Sequence, residues 1–453
     1  MFTGRKKELK KLQEYYQNKE INILVVYGQR GIGKTTLLER FVEEKNNIYY
    51  EAVSCSLREQ KKFFISRLGN MGELSQSSSF EEILNFMEDS GKDRLILIID
   101  EFQNMCKTET EFLESLKAYQ ENKNSKKKLF IILCSSAICW VENIFRNKEE
   151  YGNDFCELFK VKELSYYDFS SYFSKFDKMD RIGGFSILGG VPGLWKYFDD
   201  EFSLRENVEK FVLNRNQPLF YYGQQYISEE LRECCVYNTI LSALAKGNEK
   251  LNDIYRYTGF SRAKISVYLK NLIQLDLVEK ISSIDTKGKS DTKKGSYRIS
   301  HSYVHFYYRY LFSNLNRLFT DKPDVFYDEV IRVDFSFYVK DGFKKICREF
   351  IEMENKRGRL PGNFTYLGEW NGKSGSIDFI FLEEEEEILA GICSWEKEMM
   401  TYDQYETFVS CQEKAKIEVD FTILFSYSKF DNHLKEEAKK NPRLALLSID
   451  QMG

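Results

Sequence analysis

The sequence is poor in several things, and each shortage excludes something. It holds five prolines against 36 phenylalanines and 29 tyrosines, so long disordered linkers are not expected. Its longest apolar runs, "INILVV" and "LILII", fall far below the ~20 residues that cross a bilayer, so no membrane partner is expected. Charge of one sign is lacking too. A net charge of −4 gives no global attraction to nucleic acid or anionic lipid, and any such partner must use a local patch. Ten cysteines are present, but without short, even spacing, and Cys134/Cys139 and Cys234/Cys235 lack metal-ligand spacing. Only three histidines occur; His301 and His305 are four apart on one helical face, with no Glu or Cys beside them to complete a metal site. The opening "MFTGRKKELKKL" is charged and amphipathic, without a signal-peptide core. The expectation is a cytoplasmic protein with reduced thiols. At 453 residues it should divide into two to four domains.

What is present begins with "VVYGQRGIGKTTLLERF". Residues 21–27 form a short apolar, β-rich run, and a helical pattern (Leu37, Leu38, Phe41) follows the glycines. Strand, GxxxxGKT and helix is the context that a phosphate-binding loop requires. Gly28, Gln29, Arg30, Gly31, Ile32 and Gly33 can turn backbone N–H groups inward around a phosphate, aided by the helix dipole. Lys34 is placed to reach the β- and γ-phosphates, Thr35 to ligate Mg²⁺, and Thr36 to touch the α-phosphate. A second strand, "RLILII", ends in Asp100-Glu101: Asp100 is the candidate Mg²⁺ carboxylate, and Glu101 the candidate base that orients and deprotonates an attacking water. A third, "KLFIILCSS", ends in Ser135-Ser136, which read either as a sensor of the γ-phosphate or as a helix cap. Three strands with polar ends imply a parallel sheet with ATP and Mg²⁺ at its carboxyl edge.

In this order "FTGRKKEL", "YGQRGIGKTTLL", "LIIDEFQNM", "LCSSA" and "LGGVPGLW" resemble the archaeal-type ATPases of the STAND branch of AAA+-related P-loop proteins. The resemblance spans roughly residues 1–200 and implies adenine or ribose contacts from Gly4 and Arg5. It makes Gln103 part of the acidic signature and "GGVP" a turn in a helical lid. One departure is visible. The family commonly carries a Gly-Arg pair before the strand that resembles "FKVKEL", and "NDFCELFKVKEL" has no Arg. Arg146 and Arg181 are the substitutes considered, since an arginine on the transition state is typically worth about 10³–10⁵ in rate.

From Val236 the pattern changes to short helices: "NTILSALAKG", then "LNDIYRYTG" closing at Gly259, then a third, "RAKISVYLKNLIQLDLVEK", capped by Ser261. In the third, Ile265, Leu269, Leu272 and Leu275 form a core stripe, while Arg262, Ser266 and Lys270 share another face. A hairpin with a basic tip follows, carrying Lys287, Lys289, Lys293 and Lys294. This is a winged helix-turn-helix pattern. Residues 236–300 hold 12 Lys and Arg against 6 Asp and Glu, a local +6 in an acidic chain. Two readings stay open: duplex DNA in the major groove with the wing on phosphate, or a protein-interaction module that serves assembly or a homo-oligomer.

The last third resembles the family's C-terminal domain, related to restriction-endonuclease-like nucleases. Where such a nuclease needs acidic and Lys residues, only Asp378 fits. Lys344 replaces the helix Glu, Ile392 and Ser394 replace Glu and Lys, and Glu396 and Lys397 lie two or three residues beyond. His301 stands where an Asp is usual, and Glu383–Glu387 reads as a solvated turn between strands. The expected architecture is α/β. A P-loop core (1–157) and helical lid (158–230) precede a winged helix (231–300) and an α+β nuclease-like domain (301–453) without nuclease activity. The expected function is an ATP-binding, ATP-hydrolysing switch. Its rival is a nucleotide-stabilised DNA-binding regulator with negligible hydrolysis.

Overall fold

The computed structural model describes residues 3–68, 78–90, 94–106, 110–121, 128–145, 155–282, 295–372, 375–383, 387–396 and 398–452. The basic wing tip (Lys287, Lys289, Lys293, Lys294), Arg146 and Lys397 lie outside the described residues. The chain divides into two compact units. Residues 1–164 and 191–195 make the first, and 165–190 with 196–453 the second.

The first unit is built on five parallel strands: β1 (Ile23–Tyr27), β2 (Asn47–Glu51), β3 (Leu95–Asp100), β4 (Leu129–Ser135) and β5 (Glu157–Lys160), in the order β2-β3-β4-β1-β5. Every residue of β1, β3 and β4 is buried. That explains their continuous apolar sequences, because a parallel sheet is covered on both faces. One face packs into a core that includes Phe64, Phe80, Phe102, Phe112 and Tyr119. The order matters for the site. Strand β4, although later in sequence, lies between β1 and β3, so its carboxyl end stands between the loop after β1 and the carboxylates after β3.

In the second unit, helices Cys234–Ala245, Leu251–Thr258 and Arg262–Gln274 precede an antiparallel hairpin, β6 (Val278–Ser282) and β7 (Gly295–Ile299). Gly259 ends the second helix at φ 71, where a side chain would be strained, and the Ser261 hydroxyl caps the third by accepting from the Lys264 N–H. Ile265, Leu269, Leu272 and Leu275 are buried as the periodicity requires. The third helix stops at Gln274, and the "VEK" a few residues later opens β6. Asp276, at φ 57, makes that turn.

The C-terminal region is α+β. The long helix Phe335–Lys356 leads into a mixed sheet of β8 (Phe364–Gly372), β9 (Gly375–Glu383), β10 (Ile388–Ser394), β11 (Phe421–Ser426) and β12 (Leu444–Ser448), ordered β12-β11-β10-β9-β8. β8, β9 and β10 pair antiparallel; β10, β11 and β12 pair parallel. Glu383 and Glu387 close the β9–β10 connection with a backbone hydrogen bond of 2.9 Å.

His301 caps the helix Ser302–Phe306, its Nδ1 accepting from the Val304 N–H at 3.3 Å. His305 lies one turn on, its ring 5.1 Å from that of Tyr338. Burial lowers the His305 pKa from its ordinary 6.5 to about 4, with Asp341 opposing and Arg309 and Arg298 reinforcing the shift. A depressed folded-state pKa makes the neutral imidazole stabilising above pH 6.5, and that contribution is lost as the pH falls through about 4. The expected outcome is an unfolding free energy that declines across this window in urea titrations, and a His305→Gln variant whose decline there is shallower.

Candidate functional site

The loop Gly28–Gly33 leaves β1 fully buried and enters the helix Lys34–Val42. Gly31 and Gly33 take φ of 79 and 90, the left-handed region in which glycine carries no Cβ penalty. The buried Lys34 ammonium donates to the loop's own carbonyls, Gly28 O at 2.8 Å and Gln29 O at 3.1 Å. Arg30, Thr35 and Thr36 are exposed, whereas Gln29 is buried with its side-chain amide on Glu163 at 3.2 Å.

At the end of β3 the Asp100 carboxylate is buried. Its Oδ2 accepts from the Thr35 hydroxyl at 2.8 Å and from the Tyr49 phenol, and its Oδ1 accepts from the Glu101 N–H at 2.9 Å. Burial opposes ionisation there, but the donors, including the Cys134 thiol, outweigh it and hold the carboxyl below its usual range. Burial and the neighbouring Asp100 push the Tyr49 phenol well above its ordinary pKa, so it is a donor. Tyr49 carried no signal in the sequence: it belongs to no motif and reaches Asp100 across 51 residues.

Glu101 turns the chain at φ 50, uncommon for a residue with a side chain. Backbone bonds hold the turn: Phe102 N–H to Cys134 O at 3.1 Å and Asn104 N–H to Glu101 O at 2.9 Å. The turn brings the Glu101 carboxylate to β4. Its Oε2 accepts from the Ser136 hydroxyl at 2.7 Å and from the Gln103 amide, while Gln103 Oε1 accepts from Ser135 at 2.7 Å. Ser135 also accepts from the Ala137 N–H at 3.1 Å, so both serines join the acidic end of β3 to the turn after β4.

Arg5 is buried and lies at the loop. Its guanidinium donates to Ile32 O and Lys162 O, both at 2.7 Å, and pairs with Glu8 at 2.9 Å. That side chain braces the loop from behind. A further element reaches the loop from far along the chain. The segment Val191–Trp195 belongs to the first unit although the residues on either side belong to the second. Gly193 N–H donates to Gly31 O at 2.8 Å, and a Cβ built on Gly193 would stand 2.8 Å from Gly31 Cα and O.

The donor set suits a hard cation: one hydroxyl and one carboxylate, side by side at a phosphate loop, leave further positions to phosphate oxygens and water, as Mg²⁺ prefers. Among the described residues no group of three or more His, Cys, Asp or Glu could hold a metal. In the C-terminal sheet the Lys344 ammonium stands 2.7 Å from Asp378 Oδ1, and Asp378 Oδ2 accepts from the Cys393 N–H at 2.8 Å. The cation beside Asp378 is thus supplied by the helix Phe335–Lys356. Beside it the half-buried Arg298 of β7 joins Glu249 and Glu369, each at 2.7 Å.

On the third winged-helix helix, Arg262, Ser266 and Lys270 are all exposed. Arg262 donates to Asn252 at 2.8 Å and lies 4.3 Å from the Tyr255 ring centroid, while the Ser266 hydroxyl donates to Arg262 O of its own helix. Val267, 58% exposed, shares this surface. Arg181 donates to Ser170 Oγ at 3.4 Å and to Ser174 O.

A family model described as an ATPase domain predominantly from Archaea matches residues 2–178. A model for bacterial regulatory proteins of the arsR family matches residues 238–280, and one for archaeal and bacterial proteins of unknown function matches 307–409. The chain is 30% identical to an uncharacterized protein of Methanocaldococcus jannaschii over 468 aligned positions, covering the whole of both. It is 40% identical over 45 residues, 10% of this chain and 76% of the other, to an uncharacterized ATP-binding protein of the same organism. In structure it resembles a Walker-type ATPase of Pyrococcus abyssi, with a TM-score of 0.52 and 16% identity over 68% of this chain and 96% of that one. Among the described residues no helix is long and apolar enough to cross a membrane.

The Gly31–Gly193 approach leaves no room for a methyl group. Gly193→Ala is expected to lower stability by about 1–3 kcal/mol, as overpacking does, measured by chemical denaturation of the whole chain.

Proposed function

The chain belongs to the family of archaeal ATPases, and from that premise we propose an ATP-hydrolysing switch whose nucleotide state sets the affinity of its winged helix for duplex DNA. The observation that carries the reading is the Thr35–Asp100 hydrogen bond of 2.8 Å beneath the Lys34 loop. It joins the two oxygen ligands needed for a nucleotide-bound Mg²⁺ at the carboxyl edge of a parallel sheet. In this reading Gly28 to Gly33 turn their N–H groups to the phosphates, Thr36 touches the α-phosphate, and Lys34 exchanges the Gly28 and Gln29 carbonyls for the β- and γ-phosphates. Thr35 and Asp100 would hold Mg²⁺, which would neutralise charge on the phosphate oxygens.

Glu101 is the general base. Ser136 and Gln103 both donate to its Oε2, which fixes the carboxylate and leaves Oε1 for the water. Ser135 and Ser136 serve as the sensor by linking the β4 end to that base. The segment Val191–Trp195 serves as the coupling element: it rests on Gly31 by its backbone and continues covalently into the second unit on either side. Displacing it moves the chain to which it is joined at both ends. The output is DNA bound through Arg262, Lys270 and the lysines of the wing, an interaction that falls steeply with salt. The lid is assigned to residues 158–230 and the winged helix to 231–300. The C-terminal domain, 301–453, is a binding or assembly module with nuclease ancestry, its metal-binding role lost to the Lys344–Asp378 pair.

A second reading is favoured by one observation. Arg181, a candidate for the missing transition-state arginine, is already engaged by Ser170 and Ser174. If no arginine serves, turnover is slow and the nucleotide acts structurally. Steady-state ATP hydrolysis with and without duplex DNA separates the two. The switch requires DNA-stimulated turnover that falls about 10²–10⁴-fold in Glu101→Gln while ATP binding is retained. Tight ATP binding without turnover under any condition leaves the structural reading standing. DNA binding that is indifferent to nucleotide removes the coupling.

A further inference from the structure

The carboxylate at the end of β3 is held from a direction in which no nucleotide motif lies. Tyr49 sits on β2, paired in register with Ile98 of β3, and its side chain faces away from that of its neighbour Tyr50, which packs in the apolar core. Its phenol O–H donates to Asp100 Oδ2, the oxygen that also accepts from Thr35. An Asp side chain turns about a soft terminal torsion, so a single donor does not fix which oxygen faces where. The Glu101 N–H and the Cys134 thiol also reach this carboxylate. On Oδ2 itself the two donors, one from the helix after the phosphate loop and one from β2, hold that oxygen from different elements. Oδ1 then keeps acceptor capacity beyond the Glu101 N–H. The Thr35 hydroxyl spends its only proton on Asp100 and keeps its lone pairs for a cation.

We propose that Tyr49 is a positioning residue for the divalent cation: by clamping Asp100 it tunes how tightly the nucleotide site holds Mg²⁺. This rests on the reading of Thr35 and Asp100 as the Mg²⁺ ligands. Partners that orient a metal-binding group commonly change metal affinity by about 10–100-fold when removed. A packing role predicts something different. Tyr49→Phe keeps the ring and removes only the oxygen, so mere packing leaves metal dependence untouched.

The test is equilibrium binding of a fluorescent ATP analogue to the full chain, wild type and Tyr49→Phe, titrated with Mg²⁺ and repeated in EDTA. The expected result is a rise of about 10–100-fold in the Mg²⁺ concentration that half-develops the tighter binding, with binding in EDTA unchanged. Turnover should recover at saturating Mg²⁺. A variant that titrates at the wild-type Mg²⁺ concentration, or that weakens equally in Mg²⁺ and EDTA, overturns the role of Tyr49 and leaves the nucleotide site intact. Wild-type protein that fails to bind the analogue in either buffer overturns the site reading itself, and this inference with it.

Discussion

A carboxylate buried at the end of a strand is costly unless donors surround it, and Asp100 is such a group. Its hydrogen bonds come from the helix after the phosphate loop, from β2, from β4 and from the backbone of the next residue. Satisfying them requires β2, β3 and β4 to be in register and the loop helix to start at Lys34. The sheet order supplies this, since β4 lies between β1 and β3 and delivers Cys134 to one side of the acid. The buried apolar strands are thus a frame that delivers a few polar groups to one edge. A shift of one residue in β2 or β4 would turn a donor to the other face. The site and the fold are specified together.

How much of this was legible depended on whether the chemistry was contiguous. The phosphate loop, Asp100-Glu101 and Ser135-Ser136 each sit at the end of an apolar run. Their places at the carboxyl edge could be read from order alone, and the parallel sheet followed. The three winged-helix helices were legible for the same reason: caps at Gly259 and Ser261 and a buried stripe at Ile265, Leu269 and Leu272 are local signals. Tyr49 was not legible, because its partner is chosen by strand order and not by spacing. Arg5 was read as a contact to base or ribose, but the direction of its guanidinium, toward Ile32 O and Lys162 O, is set by tertiary packing alone. The same holds for Gln103, recognised as part of a signature but without its bonds to Glu101 and Ser135.

The second unit shows how a buried acid is satisfied away from the nucleotide loop. Asp378 stands where a metal-binding acid is expected, and the cation beside it is the Lys344 ammonium. Although burial opposes its charge, Asp378 and Glu369 hold that ammonium protonated. A fixed internal cation thus balances the buried acid from within the chain. Arg298 does similar work nearby, satisfying Glu249 and Glu369 from the wing strand β7. Breaking either set would leave a charge without its partner, so these residues are constrained by the fold itself. The hairpin that bears the wing is thereby fixed at its base to the C-terminal sheet.

The Gly31–Gly193 contact is made without side chains, by an N–H on a carbonyl and two α-carbons at close range. A junction of this kind is mechanically stiff and chemically blind. In the proposed switch it would transmit where the loop backbone lies, with no information about which group displaced it. Any ligand that shifts the loop by the same amount would then send the same message, so discrimination among ligands would have to be complete before Gly193.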